Sequence, residues 1–328
     1  MRRVTVADAE RLRRTPGATL LLFLTDRCPV RCAHCSVGSR PDGPTIRDRA
    51  LFTEVVAGIG AIPELEVVAV SGGEPFAERW GLTRAVEGLH DSGKALVVFT
   101  SGYWASERSA PAWITRLLAK VSTVYLSTDG FHARGVTPAR LRSAARAAVD
   151  AGCHLVVQVL DEPGGREAVS RMLGELLGDG RQAAEINTIT PLRLGRGRDV
   201  FAAAPPQPLS PAVRCGLASS PTIRYDGTVT ACCNEAVIMG RGPGALRTVV
   251  RRREDVGPAL TRLRRSPIPR ALAACGIGPL AELPPFRDLA RRPFSTVCEA
   301  CWAAHGILED GPGATRLVEG LLTMVEAP

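Results

Sequence analysis

Three of the ten cysteines in this chain fall within one short stretch, Cys28-Pro-Val-Arg-Cys32-Ala-His34-Cys35. Three thiolates can ligate three irons of a cubane iron–sulfur cluster, which normally takes four, so one iron would be left open to a small molecule. Zinc also favours closely spaced cysteines, but a structural zinc needs four ligands and would have to recruit a distant residue, since His34 is too close to its neighbours in the chain. Buried inert thiols are the third reading.

A second set lies downstream. Cys215 is followed after eleven residues by Gly227, then after four more by Cys232, and far beyond comes Cys298-Glu-Ala-Cys301. Asp226-Gly227 is a strong hairpin signal, which would return Cys232 toward Cys215 and let four thiols converge. Iron–sulfur and zinc both remain open for such a group. Cys233 could replace Cys232 if the hairpin carries a bulge. Cys153 and Cys275 read as small core hydrophobes.

Composition favours metal over disulfides. No hydrophobic run and cleavage site of a signal peptide follow the basic N-terminal segment, and no stretch approaches membrane-spanning length, so the expectation is a cytoplasmic protein with free thiols. The formal charge of +8 comes almost wholly from arginine, Lys94 and Lys120 being the only lysines. Aromatics are 5% of residues and the arginines are dispersed, a poor match to a nucleic-acid surface. The dense run Arg251, Arg252 and Arg253 reads as a solvated helix face.

These side chains need a scaffold. Apolar β-branched runs over 20–25, 67–71, 95–100, 123–128, 155–160 and 185–190 alternate with Ala/Leu/Arg-rich segments of helical period. That is the pattern of repeated βα units with parallel strands. Six such units predict an α/β fold, a partial (β/α)6 TIM-like barrel whose functional groups sit at the C-terminal ends of the strands. Helix starts are expected at Ser109, ahead of Ala110-Pro111, and at Thr137, ahead of Pro138, with a stop at Gly152. Residues 1–18 form an N-terminal extension, 19–190 the barrel, 191–214 a Gly/Pro/Arg linker, and 215–328 a small hairpin-plus-helix domain whose helices are interrupted by prolines, Pro258 among them.

The cysteine loop resembles the signature of the radical S-adenosylmethionine (SAM) superfamily, with His34 where that family carries an aromatic or histidine. The resemblance implies that one [4Fe-4S] cluster on Cys28, Cys32 and Cys35 binds SAM through its open iron and cleaves it to a 5′-deoxyadenosyl radical. Gly72, Gly73, Glu74 and Pro75, ending the second strand, are similar to the Gly-Gly-Glu-Pro motif that holds the cofactor's amino group. Thr100-Ser101-Gly102 resembles the family's Thr-Asn-Gly with Ser for Asn, and Ser127-Thr128-Asp129-Gly130 is similar to the segment that contacts the ribose. His34, Thr100, Ser127 and Asp129 thereby join the cofactor-binding set. The downstream cysteines resemble the auxiliary-cluster domain known as SPASM in its long form and twitch in its short form, with Leu194-Gly195-Arg196-Gly197 similar to the Gly-Arg-Ala that precedes it. One auxiliary [4Fe-4S] cluster on Cys215, Cys232, Cys298 and Cys301 is implied.

An auxiliary cluster offers a place for an electron left on substrate, so oxidation (a cross-link or dehydrogenation) is expected, or epimerisation if a thiol returns hydrogen. Cys153 is a poor donor, since it precedes the fifth strand at the barrel's bottom. Tyr103, Trp104, Asp129, His132, Gln158, Asn187 and Arg193 are candidates to hold substrate or move a proton at the top, but none is assigned a catalytic role. By resemblance the first-choice substrate is a ribosomally made peptide, then a small natural-product or sugar intermediate, and more distantly tRNA. The expected partners are a reductant such as a ferredoxin or flavodoxin and, since about eighteen residues precede the first strand, a separate leader-peptide recognition protein. A non-catalytic iron–sulfur or zinc scaffold or sensor is the alternative of another class. The motif at Gly72 to Pro75 argues against it.

Overall fold

The computed structural model describes residues 2–178, 184–203 and 205–326; the extreme ends of the two terminal segments lie outside them. Six parallel strands, β1 (Thr19–Phe23), β2 (Val67–Ser71), β3 (Ala95–Thr100), β4 (Thr123–Ser127), β5 (His154–Leu160) and β6 (Ala184–Ile189), lie side by side in chain order. The chain begins with helix α1 (Val6–Arg14) and alternates with α2 (Arg49–Gly60), α3 (Arg79–Asp91), α4 (Ala112–Leu118), α5 (Pro138–Asp150) and α6 (Gly165–Leu177).

Period-two alternation sorts each strand into two faces. Leu20, Leu22, Val68, Val70, Leu96, Val98, Val124, Leu126, Leu155 and Val157 point outward into the main core against the helices. Burying each such Leu or Val contributes about 1.5–3 kcal/mol. The opposite face, including Val67, Val97, Tyr125 and Val156, packs on Val4 and Leu12 at the start of the chain. Helix α1 thus plugs the N-terminal mouth of the curled sheet. It is held by a capping box between Thr5 and Asp8.

The two forecast helix starts differ in outcome. Thr137 caps α5, its side chain accepting from the Arg140 amide, with Pro138 in the first turn and Gly152 just past the end at φ +85°. Ser109 does not cap α4. The cap there is Pro111, which offers no side-chain bond, and Ser109 is instead closed into a turn with Ser106.

Beyond the sixth strand, residues 191–214 hold a short helix α7 (Gly197–Val200) and strand β7 (Gln207–Pro208). The expected hairpin forms as β8 (Thr222–Arg224) and β9 (Thr228–Thr230), with Gly227 at φ +82° in its turn. Its position differs from that of a free-standing unit. β8 pairs in parallel with β1, and β10 (Arg247–Val249) pairs with β9, so hairpin and barrel make one nine-stranded sheet, β10-β9-β8-β1-β2-β3-β4-β5-β6. The remaining elements are α8 (Glu235–Ile238), α9 (Arg253–Arg264), α10 (Pro267–Ala274), α11 (Ile277–Glu282), β11 (Pro293–Phe294), α12 (Val297–Asp310) and α13 (Pro312–Val325). Pro258 lies inside α9 without ending it. The last four helices enclose a second core around Ile268, Leu272, Leu280, Phe286, Ala304 and Val318.

Candidate active site

The inward faces of all six parallel strands line one cavity of about 640 Å3. Cys28, Cys32, His34 and Cys35 wall its upper end, together with Gly72, Gly73, Glu74, Thr100, Ser101, Ser127, Asp129 and His132. Residues after each strand reach the mouth because parallel strands all end on the same side.

The cysteine loop is closed by its own backbone. The Cys28 amide donates to the Arg40 carbonyl at 2.9 Å, and the Arg40 amide donates to Asp26 O at 3.4 Å. Cys28 and Cys32 are buried and Cys35 half-buried; burial pushes the Cys28 thiol up to about 11. Such thiols favour a metal, which takes them as thiolates and supplies the compensating positive charge.

Gly73 runs directly beneath the loop. Its amide donates to Thr25 O at 2.6 Å, the next amide, of Glu74, donates to Arg27 O at 2.8 Å, and a Cβ at Gly73 would collide with the Arg27 carbonyl. Glu74 is 1% exposed. One carboxylate oxygen accepts from Thr100 Oγ1 (2.9 Å) and the Phe76 amide (3.2 Å), the other from the Ser101 amide (2.9 Å) and hydroxyl (2.6 Å). Ser101 therefore does what the Thr-Asn-Gly comparison left open: it ties the third strand's end to the second. Burial outweighs these bonds and raises the Glu74 pKa, the mark of a carboxylate that gains from a cation in the adjoining cavity. Pro75 is buried behind it at the start of a short turn.

On the far side of the mouth, Asp129 Oδ2 accepts from His132 Nδ1 at 2.8 Å and faces His34 Nε2 at 3.5 Å. Burial alone would lower His132, but the Asp129 bond, helped by Cys32, carries it up to about 10. Burial alone would raise Asp129, yet His132 holds it below the usual range. Burial lowers His34, whose Nδ1 is buried without a partner. The ligand atoms of His34, Asp129 and His132 lie within 4.8 Å of one another and could grip a cation. Phe131 lies against the His34 ring with centroids 4.7 Å apart, and Phe201 meets it edge-on at 6.2 Å. This aromatic wall was not foreseen. Phe131 stood beside the quoted Asp129-Gly130, but Phe201 comes from a segment with no motif.

Of the other residues expected at the mouth, Gln158 and Asn187 line the cavity and bond to each other at 3.3 Å. Trp104 does not. It is turned into the core against Phe76, its indole donating to Thr100 Oγ1 at 3.0 Å. Tyr103 is half-buried outside the lining, and Arg193 is exposed and donates to the carbonyls of Phe201 and Arg198.

Cys215, Cys232, Cys298 and Cys301 lie near enough for their charges to act on one another. Cys232 packs on the main core, while Cys215 and Cys301 pack on the second one. Burial first, then the charges of Cys215 and its neighbours, raise all three remaining thiols: Cys232 and Cys298 up to about 12, and Cys301 as well. Asn234 Nδ2 sits 3.3 Å from Cys298 Sγ. Cys233, whose charge still bears on Cys232 and Cys298, also borders the barrel cavity. Ser220 and Glu235 line it too, and Arg13 Nη2 donates to the Cys233 sulfur at 3.6 Å. Cys153 is buried in the main core, whereas Cys275 is half-buried at the end of α10 and is no core residue.

Residues 22–164 match the family model of the Radical SAM superfamily, so the chain carries a radical SAM domain. A curated Bacillus subtilis (strain 168) relative, YydG, described as a peptide biosynthesis protein, is 23% identical over 127 residues, which are 38% of this chain and 40% of YydG. The match thus spans well under two thirds of that relative. Among solved structures, Streptococcus suis SuiB bound to S-adenosylmethionine superposes with a TM-score of 0.51 at 14% identity, covering 76% of this chain and 68% of SuiB. Native anSMEcpe with bound AdoMet and Cp18Cys peptide gives 0.55 at 13% identity over 93% of this chain and 100% of that one. At such identities the likeness is one of fold, the α/β partial barrel. No helix among the described residues is long and apolar enough to cross a membrane.

Proposed function

We propose that this chain is a radical SAM enzyme that modifies a peptide at an unactivated carbon, and that its product is an epimerised residue. The observation that carries the reading is one cavity lined both by the three-thiol loop and by an unassigned thiol, Cys233. Cys28, Cys32 and Cys35 would hold a [4Fe-4S] cluster, which would supply the one-electron reduction that cleaves the SAM sulfonium to methionine and a hydrogen-abstracting 5′-deoxyadenosyl radical.

The chain's residues set the geometry of that event. The carboxylate of Glu74 complements the cofactor's ammonium, the glycines beside it allow close backbone approach, and His34, its ring packed on Phe131 and Phe201, offers a ring to the adenine. Gln158 and Asn187 offer paired amide groups to a peptide backbone within the cavity. Hydrogen removed beside the cysteine loop and returned from Cys233 reaches opposite faces of one carbon, which inverts it. In that return the Cys233 S–H bond breaks, a C–H bond forms, and an external one-electron donor such as a flavodoxin, with a proton, restores the thiol.

The peptide substrate is further supported by the relatives: YydG is described as a peptide biosynthesis protein, and SuiB has been solved bound to its precursor peptide SuiA. A second reading rests on the proximity of Cys215, Cys232, Cys298 and Cys301. As twitch-type ligands of an auxiliary cluster they would take an electron from the substrate radical and leave a cross-link or a double bond.

The test is turnover of a library of unmodified L-peptides in D2O by anaerobically reconstituted protein. Wild type is expected to yield D-centres carrying one deuterium, and Cys233→Ala to lose them while still forming 5′-deoxyadenosine. A product lacking two hydrogens, formed equally by Cys233→Ala, would overturn epimerisation in favour of oxidation.

A further inference from the structure

Between Cys28 and Cys32 the chain holds Arg31 at φ +51°, the one non-glycine residue with positive φ among the described residues. Such a conformation persists only where its surroundings over-determine it. The carbonyl that follows, of Cys32, is gripped from outside the barrel. Arg196 donates to it from Nε at 3.0 Å and Nη2 at 2.8 Å, and Nη2 also reaches the Ser39 carbonyl at 2.9 Å. The Arg196 amide adds a bond to the Cys35 carbonyl at 3.0 Å.

The segment carrying Arg196 is shaped for this approach. Gly195 sits at φ +52°, and a Cβ there would collide with the carbonyls of Cys35 and Ser36. Two separate points of the cysteine loop, Cys32 and Ser39, are therefore bridged by one rigid planar fork, a task that a lysine ammonium does not reproduce.

We propose that Arg196 is a positioning residue, supplied from beyond the sixth strand, that holds the cysteine loop in its ligating shape before any iron is bound. The inference rests on the reading of Cys28, Cys32 and Cys35 as cluster ligands. It concerns only how the loop is ordered.

Hydrogen exchange and iodoacetamide footprinting of the iron-free protein test it. In wild type, residues 28–40 should exchange slowly; exchange at the rate of a free chain would overturn the proposal whatever the variants do. Arg196→Gln and Arg196→Lys should both raise exchange in 28–40 and alkylation of Cys32 and Cys35 several-fold, leaving the strands of the barrel as protected as in wild type. Arg193→Gln, which removes contacts within the same segment but none to the loop, should leave the footprint unchanged. Unaltered protection of 28–40 in Arg196→Gln would contradict the proposal. Failure of the functional reading would look different: a protected loop in a reconstituted protein that cannot cleave SAM.

Discussion

Glu74 carries four protein hydrogen bonds and burial still raises its pKa, so its charged form gains from a cation placed in the adjoining cavity. Glu74→Gln should weaken SAM binding by about 1.5–3 kcal/mol, the worth of a hydrogen bond to a charged group, with iron content unchanged; calorimetric titration beside iron analysis checks both. Loss of iron would show that Glu74 serves the loop and not the cofactor. His305, 3% exposed on α12, makes a separate prediction. Burial lowers its pKa from 6.5 to about 4, so the native state keeps it neutral while the unfolded chain takes a proton. Stability is therefore lost as pH falls from 6.5 toward 4, by about 3 kcal/mol at 1.36 kcal/mol per unit. Urea unfolding of wild type against His305→Leu should show this difference in pH slope, and parallel slopes would refute it. Glu74 was legible because its motif is contiguous. Phe201 and the outlook of Cys233 were not, because they depend on which way a neighbouring backbone faces.

The elements show where local signals suffice. Thr137 precedes a proline and caps α5, so Thr137→Ala should cost about 1 kcal/mol. Ser109 has the same look in sequence but lies too far ahead of α4, and Ser109→Ala should change stability by less than about 0.5 kcal/mol. Thermal unfolding of the two variants compares them directly. Helix α1 has a start signal in Thr5 and Asp8, within the expected N-terminal extension; its plugging role is not legible in sequence, since only the curled sheet supplies the surface it buries. The hairpin was legible from Asp226-Gly227, but its pairing with β1 was not. That seam is fixed by Arg224, which reaches Asp26 at 2.7 and 3.3 Å, while Tyr225 donates to the same carboxylate at 2.7 Å. Arg224→Met leaves Asp26 buried without its cation and should cost about 3–5 kcal/mol. Asp226→Asn, at the exposed partner 3.5 Å away, should cost under about 1 kcal/mol by the same unfolding assay.

Taken whole, the molecule is an α/β partial barrel whose sheet is extended by the hairpin, with a radical SAM domain over residues 22–164. The order of strands and the side on which the motifs fall followed from βα alternation alone, because parallel strands send every loop of one kind to one end. What alternation does not encode is the cavity through the barrel and the groups that line it, which depend on contacts between residues as far apart as Arg13 and Cys233. The cavity matters only if its upper end makes a radical. The most direct measurement is 5′-deoxyadenosine formed from SAM by anaerobically reconstituted, reduced protein. Wild type should produce it, and the Cys28→Ala, Cys32→Ala, Cys35→Ala triple variant should produce none. Equal cleavage by the triple variant, or none by a wild type fully loaded with iron, would contradict the account.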